Sequence, residues 1–392
     1  MKFSFRLAEL LNHSPDPKKR PGTIKAICDY TGLDRHQVSS LLKNEAKYIP
    51  LTALSQLCDF LIKHGYADAG QLPGALFSVE PENFWELLAR RRRIEMCLGV
   101  RADENWPEGA WVVASDTILQ GELLTGISTL GGTAKYQRNH HPAPEPVMLN
   151  EMGEQIYDAP IPQPEDLFQT LVWAPGQADN EEVHARAAEV YQNFHAAQGD
   201  KALICLGSIR SNPVVEISMA SIFNCEPYIS QDEVEKPSDR AVPIYLRHRE
   251  KNVEHPESCS GGKRLSKTET PETPGFYYET ADGSWKCAKW DETTYEPAYV
   301  LYAYHESQGR LEMSLGGYSG RGTRLLAKTL SSRPEELWPP VYTTGGVQIG
   351  AYIVQYELKK QKKNRSVLTA DYSATTKVIP IDPEVIHRRI HG

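Results

Sequence analysis

Two glycine-containing loops hold most of the binding chemistry in the later part of this sequence. The first, Gly207-Ser208-Ile209-Arg210-Ser211-Asn212, lies between the apolar run Ala202 to Leu206 and a helix opening at Pro213. Asn212 is a good N-cap and Pro213 suits the first helical position, so the free N–H groups there can face an anion. The second, Gly316-Gly317-Tyr318-Ser319-Gly320-Arg321-Gly322-Thr323, lies between Leu311 to Leu315 and a helix expected over Arg324 to Leu330. Its glycines let the backbone curl round a ligand, while Ser319, Arg321 and Thr323 supply donors. It is neither a Walker loop nor a G-x-G-x-x-G fingerprint, because the required Lys-Ser/Thr pair and glycine spacing are missing.

In an open α/β sheet, loops at the carboxyl ends of strands gather at one edge. The two loops are therefore expected to line one pocket for a phosphate-bearing small molecule or nucleotide, with Arg210 and Arg321 forking onto the phosphate. Ordinary tight turns are the competing reading. Asp116, Glu122, Glu216, His248 and His305 have the chemistry of acids, bases or nucleophiles, yet each is more often a surface or satisfied residue. No catalytic set and no cofactor is assigned. His140-His141 and His255 lack ligand spacing, so no metal site is expected. The seven cysteines are scattered without a C-x-x-C pair, which fits small buried hydrophobes better than a disulfide framework.

The strongest local pattern runs from Thr23 to Leu42, Thr-Ile-Lys-Ala-Ile-Cys-Asp-Tyr-Thr-Gly-Leu-Asp-Arg-His-Gln-Val-Ser-Ser-Leu-Leu. Cys28 suits the crossing of two helices, Gly32 a tight turn with φ > 0, and Asp34 an N-cap, while Val38 and Leu41 fall on one inward face. This pattern resembles the Cro/Xre-type helix-turn-helix family over the first fifth of the chain. It departs in Cys28, where alanine is more usual, and in a longer first loop, His13 to Gly22, that carries Lys18-Lys19-Arg20. The resemblance implies a recognition helix whose Arg35, His36, Gln37, Ser39, Ser40 and Lys43 face the major groove of double-stranded DNA. Thr23 and Lys47 are then phosphate contacts. A helical bundle that uses this surface for protein contact is the alternative.

These groups need elements to hold them. Helices are expected over Phe3 to Asn12, Thr23 to Thr31, Asp34 to Asn44 and Leu51 to His64, with a last turn before Phe77. Asn83 to Val100 reads as a connecting helix with one apolar face, and its Arg90-Arg91-Arg92-Arg93 run meets flanking DNA, an acidic patch or solvent. From Gly109 onward the texture becomes short apolar runs alternating with amphipathic segments. Phe276 to Thr280 and Ser284 to Trp290 read as a hairpin. Asn139 to Glu165 is rich in proline and reads as an extended connection, and Ser260 to Lys267 as a mobile stretch.

The expected fold is multidomain: an all-α helix-turn-helix domain at 1–78, a connecting helix and linker at 79–108, and an α/β, Rossmann-like, open-sheet domain at 109–392. The last serves ligand sensing and dimerisation and carries a hairpin-containing insertion at 230–297. Charge follows the same division. The chain's net charge is -8, yet Met1 to Ser78 holds ten Lys and Arg against seven Asp and Glu, or +3, leaving -11 for the rest. Only the first part can approach phosphates without net repulsion. No apolar run reaches the ~20 residues that span a bilayer, and Met1 to Arg6 has no export signal. No membrane partner and a cytoplasmic location are expected. The leading expectation is a homodimeric, ligand-responsive transcription regulator. The alternatives are a nucleotide-processing enzyme or anti-phage defence effector that uses its helix-turn-helix for targeting or autoregulation, and a DNA-organising protein without a ligand.

Overall fold

The computed structural model describes residues 3–11, 23–67, 69, 72–79, 81–103, 106–131, 166–197, 200–228, 242–248, 273–344, 346–358 and 374–391. The Lys18-Lys19-Arg20 triplet, the 139–165 connection, His140, His141, His255 and the 260–267 stretch lie outside them.

The amino-terminal unit is built on helices α1 (Leu7–Leu10), α2 (Thr23–Thr31), α3 (Arg35–Leu42) and α4 (Leu51–Lys63). The α2–α3 turn is local chemistry. Gly32 takes φ +69°, the Thr31 hydroxyl donates to the Ile27 carbonyl, and the Leu33 amide donates back to that hydroxyl. Asp34 opens α3 with a capping box, its carboxylate accepting from the Gln37 amide and the Gln37 side chain accepting from the Asp34 amide. Ile27, Val38, Leu41, Leu57 and Leu61 close a small core.

This unit is not all-α as expected. Strand β1 (Phe3–Phe5) pairs antiparallel with β2 (Phe77–Val79), so the start of the expected first helix is a strand. The pairing ties the beginning of the unit to its end. Only tertiary contact selects that conformation for so short an apolar segment.

Among the described residues, nine strands form one open sheet. Within it β5 (Asp166–Trp173), β3 (Arg93–Asp103), β6 (Lys201–Leu206) and β11 (Arg310–Gly317) run parallel in that order. The sheet continues antiparallel through β10 (Tyr295–His305) and β13 (Val347–Leu358), with β12 (Tyr342–Thr344) and β14 (Ala374–Pro380) on different stretches of β13. Strand β4 (Trp106–Val112) pairs with the end of β3. One face is covered by α5 (Phe84–Ala89), α6 (Ala114–Thr129) and α9 (Gly320–Ser332). The other is covered by α7 (Asn180–Ala196), α8 (Val214–Ile222) and α10 (Pro383–His391). Strand residues alternate between the two cores: Ile204 and Met313 join one, Leu203 and Cys205 the other. The α/β expectation holds as these three layers. The finer Rossmann-like label finds no support in an order where many of the strands run antiparallel. A separate antiparallel sheet of β7 (Ile244–Arg247), β8 (Gly275–Glu279) and β9 (Trp285–Lys289) contains the expected hairpin.

The helix read across Asn83 to Val100 is corrected. It stops at Ala89, and Arg93 to Asp103 is a central strand of the sheet. A strand buried on both faces presents an unbroken apolar run, which periodicity does not separate from a helix. Three residues of the arginine run have internal partners, while Arg92 is exposed. Arg90 pairs with Glu86 (3.1 Å), Arg91 is buried against Asp200 (2.6 Å), and Arg93 pairs with Glu95 (3.5 Å) and lies 4.4 Å over the Phe168 ring.

Candidate nucleic-acid interface and carboxyl-edge loops

Helix α3 buries Val38, Leu41 and Leu42 and turns the rest of its surface outward. Arg35, His36 and Lys43 are exposed, Gln37, Ser39 and Ser40 half-buried. His36, Ser39, Ser40 and Lys43 follow the i, i+3, i+4, i+7 spacing of one helical face. Lys47 is exposed in the loop before α4, beside exposed Tyr48 and Leu51, and half-buried Thr23 opens α2. His36, Ser39, Ser40 and Lys43 are thus brought together on one face, whereas Arg35 and Gln37 lie in the first turn of α3, Lys47 in the following loop and Thr23 on the preceding helix. Gln37 carries a second duty: its side-chain oxygen accepts from the Asp34 amide at 3.0 Å. Two-pronged reading of adenine would have to break that cap.

The two glycine loops leave the sheet side by side. Leu206 stands opposite Leu315 in the parallel β6–β11 pair, and the Gly207 amide donates to the Leu315 carbonyl at 2.9 Å. Their glycines are taken up by close packing. A Cβ on Gly316 would lie 2.6 Å from the Gly207 carbonyl carbon, and one on Gly322 would lie 2.9 Å from the Pro297 carbonyl oxygen. A Cβ on Gly317 would run into the backbone of Gly322 and Thr323, and one on Gly99, near the end of β3, into the Ser211 carbonyl.

The side chains in the loops also have internal partners. Asn212 donates to the Cys97 (2.9 Å) and Leu206 (3.2 Å) carbonyls and accepts from the Val214 amide (3.1 Å), tying the loop across β3 and β6. The Ser208 amide donates to the Ser211 hydroxyl at 3.0 Å. The Thr323 hydroxyl accepts from the Gly317 amide at 3.1 Å. Arg321, expected to fork onto a phosphate, pairs instead with buried Glu296 (2.8 Å) and donates to the Glu292 and Asp291 carbonyls. Ser319 caps α9 and donates to the same carboxylate at 2.7 Å. The helix opens at Gly320, four residues before the expected Arg324, because Ser319 supplies the cap. Arg210 is half-buried within the first loop.

The loops have a third neighbour. Helix α6 brings Ser115 and Asp116 to the same edge: the Ser115 hydroxyl faces Gly320, and an Asp116 carboxylate oxygen lies 3.7 Å from a Cβ built on Gly207. Asp116 is only 4% exposed, and burial pushes its carboxyl up to about 6 against the opposing Ser115 hydrogen bond and the Arg101 charge. A proton-exchanging group thus sits where two long helices point their amino ends.

The other acid–base residues are scattered around these loops and beyond them. Glu122 is half-buried later in α6, Glu216 is buried in the first turn of α8, and the His248 ring stacks 6.2 Å from that of Tyr318. His305 lies at the opposite edge, where burial and Arg310 push its imidazole down to about 3. Among the described residues no cluster of three metal-type ligands forms, and no helix is long and apolar enough to cross a membrane.

Sequence reasoning missed Asn44, Arg6, Asp200 and Glu306, which join the helical unit to the sheet. The one local signal was an asparagine placed just past a helix end.

Neither the curated proteins nor the solved structures include a match to this chain. Residues 18–62 match the family model of the Cro/C1-type HTH DNA-binding domain, and no other family is recognised. The capped α3, the Gly32 turn and the packing of α2 and α4 around them agree with that match. The amino-terminal segment of this chain is therefore a Cro/C1-type helix-turn-helix DNA-binding domain.

Proposed function

We propose that the chain is a transcription regulator that binds double-stranded DNA through α3 and senses a phosphate-bearing small molecule or nucleotide with its sheet domain. The observation that carries the first half is the outward face of α3, where Arg35, His36 and Lys43 stand exposed above a closed apolar core. Support for the second half is the meeting of the Gly207 and Gly320 segments with the start of α6 at one edge. Arg210 lies within the Gly207 loop, and Arg321 shapes the edge through Glu296.

The regulator is a homodimer, since one such domain reads few base pairs and two-fold pairing is the usual remedy. Strand β5 is the surface suited to a second copy: it pairs on one side with β3, exposes Leu167, Phe168 and Leu171, and bears a single charge, Asp166.

Selection of duplexes from a random pool with the full-length protein tests the DNA reading. A recovered, two-fold symmetric sequence whose binding weakens with salt is expected, and an unselected pool would sink it. Thermal shift with nucleotides and inorganic phosphate tests the sensor. A ligand that raises the melting temperature should also change DNA affinity, about tenfold for ~1.4 kcal/mol of coupling. The enzyme alternative draws on Asp116, whose carboxyl is pushed by burial up to about 6. Turnover of a nucleotide abolished by Asp116→Asn would favour it over a sensor.

A further inference from the structure

The recognition helix is anchored at its end to the sheet domain. Lys43 caps α3, and Asn44 follows at φ +58°, a left-handed conformation that asparagine adopts more readily than most residues. Its side chain bridges two distant parts of the chain. The Asn44 Oδ1 accepts from the Phe5 amide at 2.6 Å, and its Nδ2 donates to Glu306 Oε2 at 3.3 Å. The other oxygen of Glu306 accepts from Gln348 Nε2 at 2.6 Å, and both Glu306 and Gln348 are buried. Gly346, beside that pair, packs against the Lys43 carbonyl.

A second bridge lies alongside. Arg6, next to β1, pairs with Asp200 at 2.7 Å, and the other oxygen of Asp200 pairs with Arg91 at 2.6 Å. Arg6 donates to the Tyr304 hydroxyl at 3.3 Å, while the Arg91 guanidinium sits 4.6 Å over the Tyr304 ring. All three charged residues are buried. Ordered hydrogen bonds with fixed directions hold an orientation, whereas an apolar contact lets two bodies slide.

We infer that Asn44 is a positioning residue for DNA recognition: through Phe5 and Glu306 it fixes the angle at which the sheet domain presents α3 to the groove. The inference rests on the DNA-binding reading and is independent of any ligand. The anchor sits at the edge of the sheet opposite the glycine loops, because Asp200 precedes β6, whose far end carries Gly207. The two edges are about 20 Å apart at ~3.3 Å per residue.

The test uses full-length protein and the duplex that wild type selects from a random pool. Asn44→Gly keeps the left-handed backbone without strain and removes both side-chain bonds. It should weaken binding to the selected duplex about tenfold while leaving binding to random duplex and the salt slope unchanged. Glu306→Ala should do the same, the double variant should lose no more than either single, and Glu306→Gln, whose one oxygen accepts from Asn44 while a turned Gln348 amide accepts from its NH2, should stay near wild type. A thermal melt run on each variant confines the comparison to folded protein. Asn44→Gly protein that is folded and binds the selected duplex as wild type does would overturn the positioning role alone. Wild-type protein that selects no duplex would overturn the regulator reading and this one with it. A Glu306→Gln loss as large as that of Glu306→Ala would show that the charge of Glu306, not its bond to Asn44, matters.

Discussion

Gly316 and Gly207 touch backbone to backbone, so that a Cβ on the former would stand 2.6 Å from the carbonyl carbon of the latter. Gly316→Ala must push two neighbouring parallel strands apart at their ends, a strain of about 1–3 kcal/mol. Gly320→Ala meets Ser115 alone, its movable hydroxyl at 3.0 Å and its Cβ at 3.4 Å, and should cost far less. Thermal melts of the two variants check this. Equal melting temperatures would mean that the loops do not meet this closely.

On the DNA side, Arg35→Ala should reduce discrimination among sequences by about 1–3 kcal/mol per lost base contact. Lys43→Ala should weaken all duplexes alike and lower the salt slope. Gln37→Ala removes half of the capping box as well, so it should also lower thermal stability by about 1 kcal/mol. Binding isotherms at several salt concentrations, paired with melts, separate the three.

Asp116 should make the folded chain less stable as pH rises. Its carboxyl is raised from 3.8 to about 6, so the folded state holds a proton that the unfolded state releases between those values. Stability is full below about 3.8 and falls as pH passes through 6, by up to about 3 kcal/mol. Asp116→Asn should therefore stabilise the protein at pH 7.5 and change nothing at pH 3.8. An equal gain at both values would mean that the carboxyl is not held protonated by burial.

Glu312 acts with the opposite sign. Burial alone would raise its carboxyl, but Arg310 and His195 bring it down to about 2, and the Tyr191 hydroxyl donates to it at 2.6 Å. Its contribution is present above its ordinary value of 4.5 and is lost as pH falls through 2, again about 3 kcal/mol. Glu312→Gln should flatten the acid limb of a stability–pH curve between those values and lower stability at pH 7. An acid limb unchanged in the variant would place the titrating group elsewhere.

Sedimentation of full-length protein should show a dimer, and replacing Leu167 and Leu171 with lysine on β5 should give monomers that still bind DNA, more weakly. A fragment beginning at Glu108 is unsuited to this measurement because it lacks β3, a central strand of the sheet. A wild-type monomer at micromolar concentration, or a dimer insensitive to both lysines, would remove β5 as the contact.

The helix-turn-helix was legible in the sequence because its signals are local. The Asp34 cap, the Gly32 turn and the inward Val38 and Leu41 lie within ten residues of one another, and short-range backbone chemistry decides all of them. The alternation of short apolar runs with amphipathic segments likewise sufficed for an α/β domain and for two loops after β6 and β11.

Other features depended on partners far along the chain. Ile94 to Val100 reads as the end of a helix, and only strands at 166–173 and 201–206 flanking it made it a strand. Arg321 carries a phosphate-ready guanidinium on paper, yet Glu296, on β10, claims it. The loop glycines promised open space, and the tertiary structure filled that space with neighbouring backbone. Asn44 followed a helix as asparagines often do, and its bridge to Glu306 spans 262 residues. Local propensity and pattern are written in consecutive residues, whereas the partner of a buried charge and the neighbour of a bare Cα are chosen only when distant segments pack together.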